Sequence, residues 1–199
     1  MRFFVRSMSL FRLREGTYAE GTSMGVTEVR FLEPRRLNPG ETLEGFSCGV
    51  ELIDNWANRH APYAAKRGTA VPYVCFTTSG EVAGFYAISA YSIDRDAVRG
   101  GWLKRNAPAK IPVILLGMLG VDSRFQHQGL GWMLLQDAIK RALAVGRQIG
   151  SRALVVDPYD DVSRGFYQHF WLPRRPWFQQ YVCQIGLNAG RFLPHRNAA

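Results

Sequence analysis

Apolar and polar positions along the chain separate into short strand-like runs and one long helix-like stretch. The most continuous apolar run, Val113 to Val121, is far too short to span a membrane and predicts a buried strand. A turn carrying Gly129 and Gly131 follows. From Trp132 to Arg147 apolar residues recur at intervals of three and four, predicting an amphipathic helix. Upstream, Val71–Phe76 and Val82–Ser92 predict two strands joined by a tight turn at Thr78-Ser79-Gly80-Glu81. A first strand is expected at Val26–Phe31, ending before Pro34. Ser47 is the expected N-cap of a helix with an apolar face of Val50, Ile53, Trp56 and Ala57, ending near Pro62. Asp94–Lys110 is polar and basic and predicts a surface excursion. Arg152–Asp157 predicts a short buried strand, Asp160 or Asp161 caps a short helix through Tyr167, and Gln179–Leu187 closes as a strand. This order predicts an α/β (α+β) fold with a mixed sheet flanked by helices on both faces. Residues 26–187 form the domain, 1–25 a loosely attached N-terminal extension, and 188–199 a tail.

The composition, with 47% hydrophobic and 21% charged residues, is that of a globular domain rather than a disordered chain. Arg6, Arg12 and Arg14 interrupt the apolar start, which argues against a secretory signal. Cys48, Cys75 and Cys183 are widely spaced and odd in number, so they are expected as free thiols in a cytoplasmic protein. The four histidines are scattered and suggest no metal site. Net charge is +9, carried by 21 arginines and only 4 lysines. Arginine's planar fork pairs with phosphate through two hydrogen bonds at once, so a nucleic-acid partner competes evenly here with a merely basic surface.

A strand that delivers glycines to a helix N-terminus presents unpaired backbone N–H groups at one point, where a phosphate or pyrophosphate is favoured. The same residues also fit a plain turn in which the glycines serve packing. The turn is no dinucleotide fingerprint, because it follows a mid-chain strand and lacks the Gly-x-Gly-x-x-Gly spacing, and no P-loop lysine is present.

Gln126-His127-Gln128-Gly129-Leu130-Gly131 resembles the Gln/Arg-x-x-Gly-x-Gly/Ala signature of the GNAT superfamily of N-acetyltransferases. Ser163 to Phe170, with its Phe166-Tyr167 pair, resembles a second segment of that superfamily. Phe46-Ser47-Cys48-Gly49, Ile53-Asp54, Trp56 and the run at 112–117 are similar to its bacterial tRNA-acetylating toxin branch. That resemblance covers roughly residues 26–187. It implies the GNAT fold, with acetyl-CoA as co-substrate bound where the fourth and fifth strands splay apart. It also implies aminoacyl-tRNA as acceptor, a ribbon-helix-helix antitoxin, contact with operator DNA only through the antitoxin complex, and a homodimer. Three places depart from the branch: Met118 stands where an Arg is usual, Gly120 where an Ala is usual, and Trp171-Leu172 where Gly-Phe is usual.

By this resemblance the pyrophosphate sits on backbone N–H groups of Gln128, Gly129, Leu130 and Gly131, with Gln126, His127 and a rim charge from Arg124 beside it. Both glycines are expected to let the backbone approach the oxygens. The pantetheine arm pairs with the backbone of Leu119 and Val121, and Phe166 packs toward the core or the cofactor. Tyr167 is the expected catalytic acid, protonating the departing thiolate; as a residue alone it equally fits a core tyrosine. His169 is a weaker candidate. No carboxylate lies on Leu115–Met118 to serve as general base, although a water relay to Asp94, Asp96 or Glu81 is conceivable. An α-amine, with a pKa of about 7.7–8.0, needs far less help than a lysine amine near ~10.4, which favours an aminoacyl-tRNA acceptor. Arg35, Arg36, Arg59, Lys66, Arg67, Lys104, Arg105, Lys110, Arg174 and Arg175 are the expected tRNA contacts, with Trp102 or Trp177 stacking on a terminal base. Two alternatives remain open: an acetyltransferase for protein N-termini or small amines, and a weakly catalytic protein acting through antitoxin and DNA.

Overall fold

The computed structural model describes residues 30–98, 101–169 and 181–184. Among the described residues six strands form one sheet in sequence order: β1 (Arg35–Arg36), β2 (Val71–Phe76), β3 (Val82–Asp94), β4 (Lys110–Val121), β5 (Ala153–Val156) and β6 (Tyr181–Gln184). All neighbours are antiparallel except β4 and β5, which run parallel. The parallel pair needs a crossover, and the helix α3 (Leu130–Ile149) supplies it. The mixed sheet expected from the pattern is therefore present.

Period-two alternation decides what each face buries. Tyr73, Cys75, Tyr86, Ile88, Ile114, Leu116, Leu154 and Val156 lie in one cluster with Leu134, Leu135, Ala138, Ile139 and Ala142 of α3 and Tyr167 of α4 (Asp161–His169). The opposite face is covered in two parts. At one end Val74 and Phe85 pack with Leu37, Leu43, Phe46, Ala57 and Ala61. At the other, Ile93, Ile111, Val113, Ala153 and Val155 pack with Val98, Leu103 and Ala107. The 94–110 segment is thus more than a surface excursion. Three of its sparse apolar residues are buried, and they close the sheet over the start of β4.

The strand expected at 26–31 lies almost wholly outside the described residues; Phe31 makes an isolated bridge to Thr77, and β1 follows Pro34. Two expectations about the first helix are corrected. Ser47 does not cap the first helix. α1 (Glu51–Asn55) starts after Val50, which makes no side-chain cap bond, because Asp54 takes the Ser47 hydroxyl (3.0 Å) and the Cys48 N–H (2.7 Å) for itself. Nor does Pro62 end this helix. A π turn (Trp56–His60) follows α1, and α2 (Ala61–Arg67) continues with Pro62 in its first turn, where a missing N–H costs little. Gly68, at φ 68°, ends it. Asp160 does cap α4, accepting from Ser163 N–H at 2.7 Å while the Ser163 hydroxyl accepts from Asp160 N–H.

Candidate active site

β4 outruns its parallel partner. Pairing with β5 ends at Leu116–Val156, whereas pairing with β3 continues to Val121–Gly84. A register shift marks the parting, since Ala87 and Ile88 face Met118 and Leu116 and leave Gly117 as the extra residue. Beyond it, Asp122 N–H donates to Ala83 O at 2.9 Å. Antiparallel alternation then turns the N–H and C=O of Leu119 and Val121 away from β3, onto the side β5 has left. The Val121 carbonyl accepts from Gln126 Nε2 at 3.1 Å. The side chains of both residues pack against the main core.

The turn between Asp122 and α3 is shaped by two left-handed residues, His127 at φ 60° and Gly129 at φ 81°. Such curls bring successive N–H groups to one side. α3 begins at Leu130 without a side-chain cap, so its first N–H groups are left for a ligand or solvent. Within the fold the two glycines serve different ends. A Cβ on Gly129 would meet nothing within 4 Å, so its need for glycine is the positive φ. A Cβ on Gly131 would lie 3.2 Å from Phe166 Cε2 and 3.7 Å from Val121 Cγ2. Gly131 is therefore a close-approach residue that brings α4 against the start of α3.

Phe166 meets Tyr167 edge to face, with ring centroids 5.2 Å apart. Tyr167 is buried in the main core beside Leu130, and burial pushes its phenol well above the ordinary value. The splayed strand, the glycine turn and the Phe166-Tyr167 pair are thus assembled in one place. His169 lies exposed at the end of α4.

Several expected ligands have other work. Arg124 is held by Asp122 (Nε–Oδ1 2.8 Å) and Glu81 (2.6 Å), so it is no uncommitted rim charge. Gln126 Nε2 donates to Cys48 O (2.9 Å) as well as Val121 O, tying the turn to the loop before α1. Gln128 Nε2 reaches Arg124 O at 3.4 Å. Ser123 N–H and hydroxyl both donate to Ser47 O. The 46–49 loop, which in the sequence is a stretch of family resemblance leading into a helix, is the hub that fixes the turn.

The carboxylates of Asp54, Glu81 and Asp122 near the splay are all engaged, whereas Asp157, directly after β5, stands exposed. Burial raises the Asp122 carboxyl, but hydrogen bonds from Arg124 and the Ser47 N–H outweigh it and leave the group below its usual range. Asp54 is shifted the same way by Cys48 and Ser47 against its own burial. Glu81 binds Arg124 and Ser79. Asp94 pairs with Lys110 at 2.7 Å and Asp96 with Arg95, at the opposite end of β4, about 30 Å along the strand. The relay expected through Asp94 or Asp96 is therefore out of place. The Cys48 thiol, pushed up to about 12 by burial and by its bond with Asp54, is a poor nucleophile.

Met118 and Gly120 also find their reasons. A Cβ on Gly120 would lie 3.0 Å from both Ile53 Cγ2 and Phe46 Cζ, so glycine lets α1 press onto β4. Met118 packs half-buried against the same cluster.

The family model for acetyltransferases of the GNAT family matches residues 38–170. The chain belongs to this acetyltransferase family. It is an N-acetyltransferase. A tRNA-acetylating toxin of Mycobacterium tuberculosis is 38% identical over 139 residues, 69% of this chain and 81% of that protein. A probable toxin TacT of Sinorhizobium fredii is 31% identical over 130 residues, 64% and 71% of the two chains. Among solved structures, AtaT complexed with acetyl-methionyl-tRNAfMet superposes with a TM-score of 0.67 at 20% identity, covering 78% of this chain and 95% of AtaT. AtaT has also been solved with acetyl-CoA, and with its antitoxin AtaR bound to DNA. These structures share the GNAT fold described above.

The expected tRNA contacts of this acetyltransferase do not form one patch. Arg35 is engaged by Glu41 through two 2.8 Å bonds and lies over the Phe76 ring. Lys110 is paired with Asp94; with Lys104 and Arg105 it belongs to the far end of β4. Arg36 pairs through Tyr73 and Tyr86 to the level of Leu119, and Arg59, Lys66 and Arg67 are exposed along the helix that presses on Gly120. Arg174, Arg175 and Trp177 lie outside the described residues. Trp102 is half-buried in the core under the 94–110 segment, so it is a packing residue. No group of metal-binding side chains occurs among the described residues, and none of their helices is long and apolar enough to cross a membrane.

Proposed function

We propose that this N-acetyltransferase is a cytoplasmic toxin that moves the acetyl group of acetyl-CoA onto the α-amino group of aminoacyl-tRNA and so blocks translation. The observation that carries the acceptor is the engaged state of Asp54, Glu81 and Asp122 at the splayed end of β4. With these three carboxylates engaged, an amine that loses its proton far more readily than a lysine amine is the fitting nucleophile. The names of the relatives support the same acceptor.

Acetyl-CoA supplies the thioester from which the acetyl group leaves. The uncapped N–H groups at the start of α3 and the curled turn at 127–129 hold its pyrophosphate. The outward-facing backbone of Leu119 and Val121 pairs with the pantetheine amides, in the gap that β5 leaves. Open space beside Gly129 fits this use. Tyr167 keeps its proton because burial disfavours the phenolate, and gives it to the departing sulfur. Phe166 fixes the direction of that phenol by its edge contact. An antitoxin of the ribbon-helix-helix type silences the enzyme and carries it to operator DNA, and the enzyme works as a homodimer.

Purified protein is incubated with labelled acetyl-CoA and either charged or uncharged tRNA. Label is expected only on charged tRNA, in the amino acid. Label on both, or on neither, refutes the proposal. Tyr167→Phe is expected to lower kcat by roughly 10²–10⁴-fold while acetyl-CoA affinity is kept.

A further inference from the structure

The helix that presses on β4 runs away from it across the sheet. Ile53 sits against Gly120 of β4, and Trp56 stacks parallel on Phe85 of β3, with centroids 5.7 Å apart. Ala57 and Ala61 are buried with Val74 of β2 and with Leu37, just past β1. Its outer side carries Arg59, Tyr63, Lys66 and Arg67. Tyr63 is 64% exposed, so its ring faces solvent rather than lying in the apolar core beneath the helix. Arg59 and Arg67 stand four residues to either side of it and Lys66 three residues on, so all three cations share its face. None of them forms an ion pair among the described residues, in contrast to Arg35 and Lys110. No Asp or Glu occurs anywhere from Asn55 to Gly80, so nothing local neutralises this face.

We infer that this face is the docking track for the single-stranded 3′ end of the RNA, with an unpaired base stacked on Tyr63 and flanking phosphates held by Arg59, Lys66 and Arg67. The inference rests on the tRNA acceptor proposed above and adds the residue that grips the strand. The dimensions suit it. Tyr63 lies ten residues beyond Ile53, about 15 Å along the helix, so a strand gripped there needs only a few nucleotides to bring its terminus to the splay of β4. A flat, exposed ring between uncompensated cations is the combination that binds single strands: every base has a stacking face, and every nucleotide a phosphate. An acidic protein segment would use the cations without needing the ring.

The test measures equilibrium binding of uncharged tRNA, whole or with its single-stranded 3′ nucleotides removed, to the full chain. Wild type is expected to prefer whole tRNA by about 5- to 150-fold in Kd. Tyr63→Ala abolishes that preference, Tyr63→Trp and Tyr63→Phe retain it, and acetyl-CoA binding is unchanged in all three. Replacing Arg59, Lys66 and Arg67 together by Ala lowers the slope of log Kd against log salt by about 2. If Tyr63→Ala keeps the preference for whole tRNA, the stacking role is overturned. Equal weakening of a deca-aspartate peptide would assign the face to an acidic protein segment and overturn it too. Acetylation of charged tRNA by wild type, assayed in parallel, separates the two failures. Transfer with an unaltered Tyr63→Ala preference removes only the docking track, whereas no transfer removes the acceptor assignment.

Discussion

Gly131→Ala sets two magnitudes against each other. Alanine is favoured over glycine inside a helix by up to about 1 kcal/mol, and Gly131 is the second residue of α3. Against this stands Phe166: the new Cβ would lie 3.2 Å from its Cε2 and 3.5 Å from its Cζ, so the ring has to retreat by a few tenths of an ångström. Overpacking of this kind costs about 1–3 kcal/mol. The net expectation is a loss of between roughly 0 and 2 kcal/mol, or a Tm lower by up to about 8 °C for a chain of this size. Function discriminates more sharply than stability. Phe166 carries the edge contact to Tyr167, so the displaced ring lowers kcat while KM for acetyl-CoA stays near its original value. Gly129→Ala is the matched control. Its Cβ enters open space, and the cost of about 1–2 kcal/mol comes from forcing φ 81° on a side-chain-bearing residue. Relief of that strain flattens the turn, so KM for acetyl-CoA rises instead. Thermal melting and steady-state kinetics on the two variants decide the matter. A Gly131→Ala enzyme with a Tm raised by the full helix-propensity gain and an unaltered kcat would falsify the close contact between α3 and α4.

Two further outcomes are expected. Arg124→Ala strips hydrogen bonds from Asp122, whose side chain is only 4% exposed, and should cost about 1–3 kcal/mol in denaturant unfolding; Glu81→Ala, which removes exposed contacts with Arg124 and Ser79, should cost less than about 1 kcal/mol. Equal effects would show that Arg124 does not serve Asp122. The carboxyls of Asp54 and Asp122 both sit below their ordinary values in the folded chain, so their stabilisation is complete above the usual carboxylate range and is lost as pH falls through the folded-state values. Stability should therefore drop on acidification below about pH 4, with a smaller drop in Asp54→Asn; a loss beginning near neutrality would contradict this.

What the sequence made legible was local or periodic. Alternation along 71–76, 82–94 and 110–121 fixes the faces of the sheet, and the run from Gln126 to Gly131 announces its own turn. The capping of α4 by Asp160 uses a residue three positions from its partner, which is within reach of pattern reasoning. The illegible parts involve side chains whose partners lie far along the chain. Arg124 finds Glu81 across 43 residues, and Gln126 finds Cys48 across 78, so both looked like uncommitted ligands. Ser47 has every local mark of an N-cap and loses that role to Asp54, only seven residues on. A competing hydrogen bond of the same chemistry defeats propensity there, because the carboxylate satisfies two donors at once.

Glycine shows the limit most clearly. Gly120, Gly129 and Gly131 are alike as letters, yet one admits a helix onto a strand, one supplies a left-handed turn and one admits an aromatic ring. Their separate reasons follow only from what surrounds the missing Cβ. Tyr63 is the opposite case. Its spacing from Arg59 and Arg67 is visible in the sequence, and so is the absence of acidic residues around it. What could not be read is that the helix continues past Pro62 and so carries Tyr63 on its outer side. Ile53, Trp56, Ala57 and Ala61 settle this by filling the inner side, and the ring is left outside among cations. A buried Tyr63 would have been one more core residue; exposed, it turns a run of basic residues into a surface with a flat site to grip.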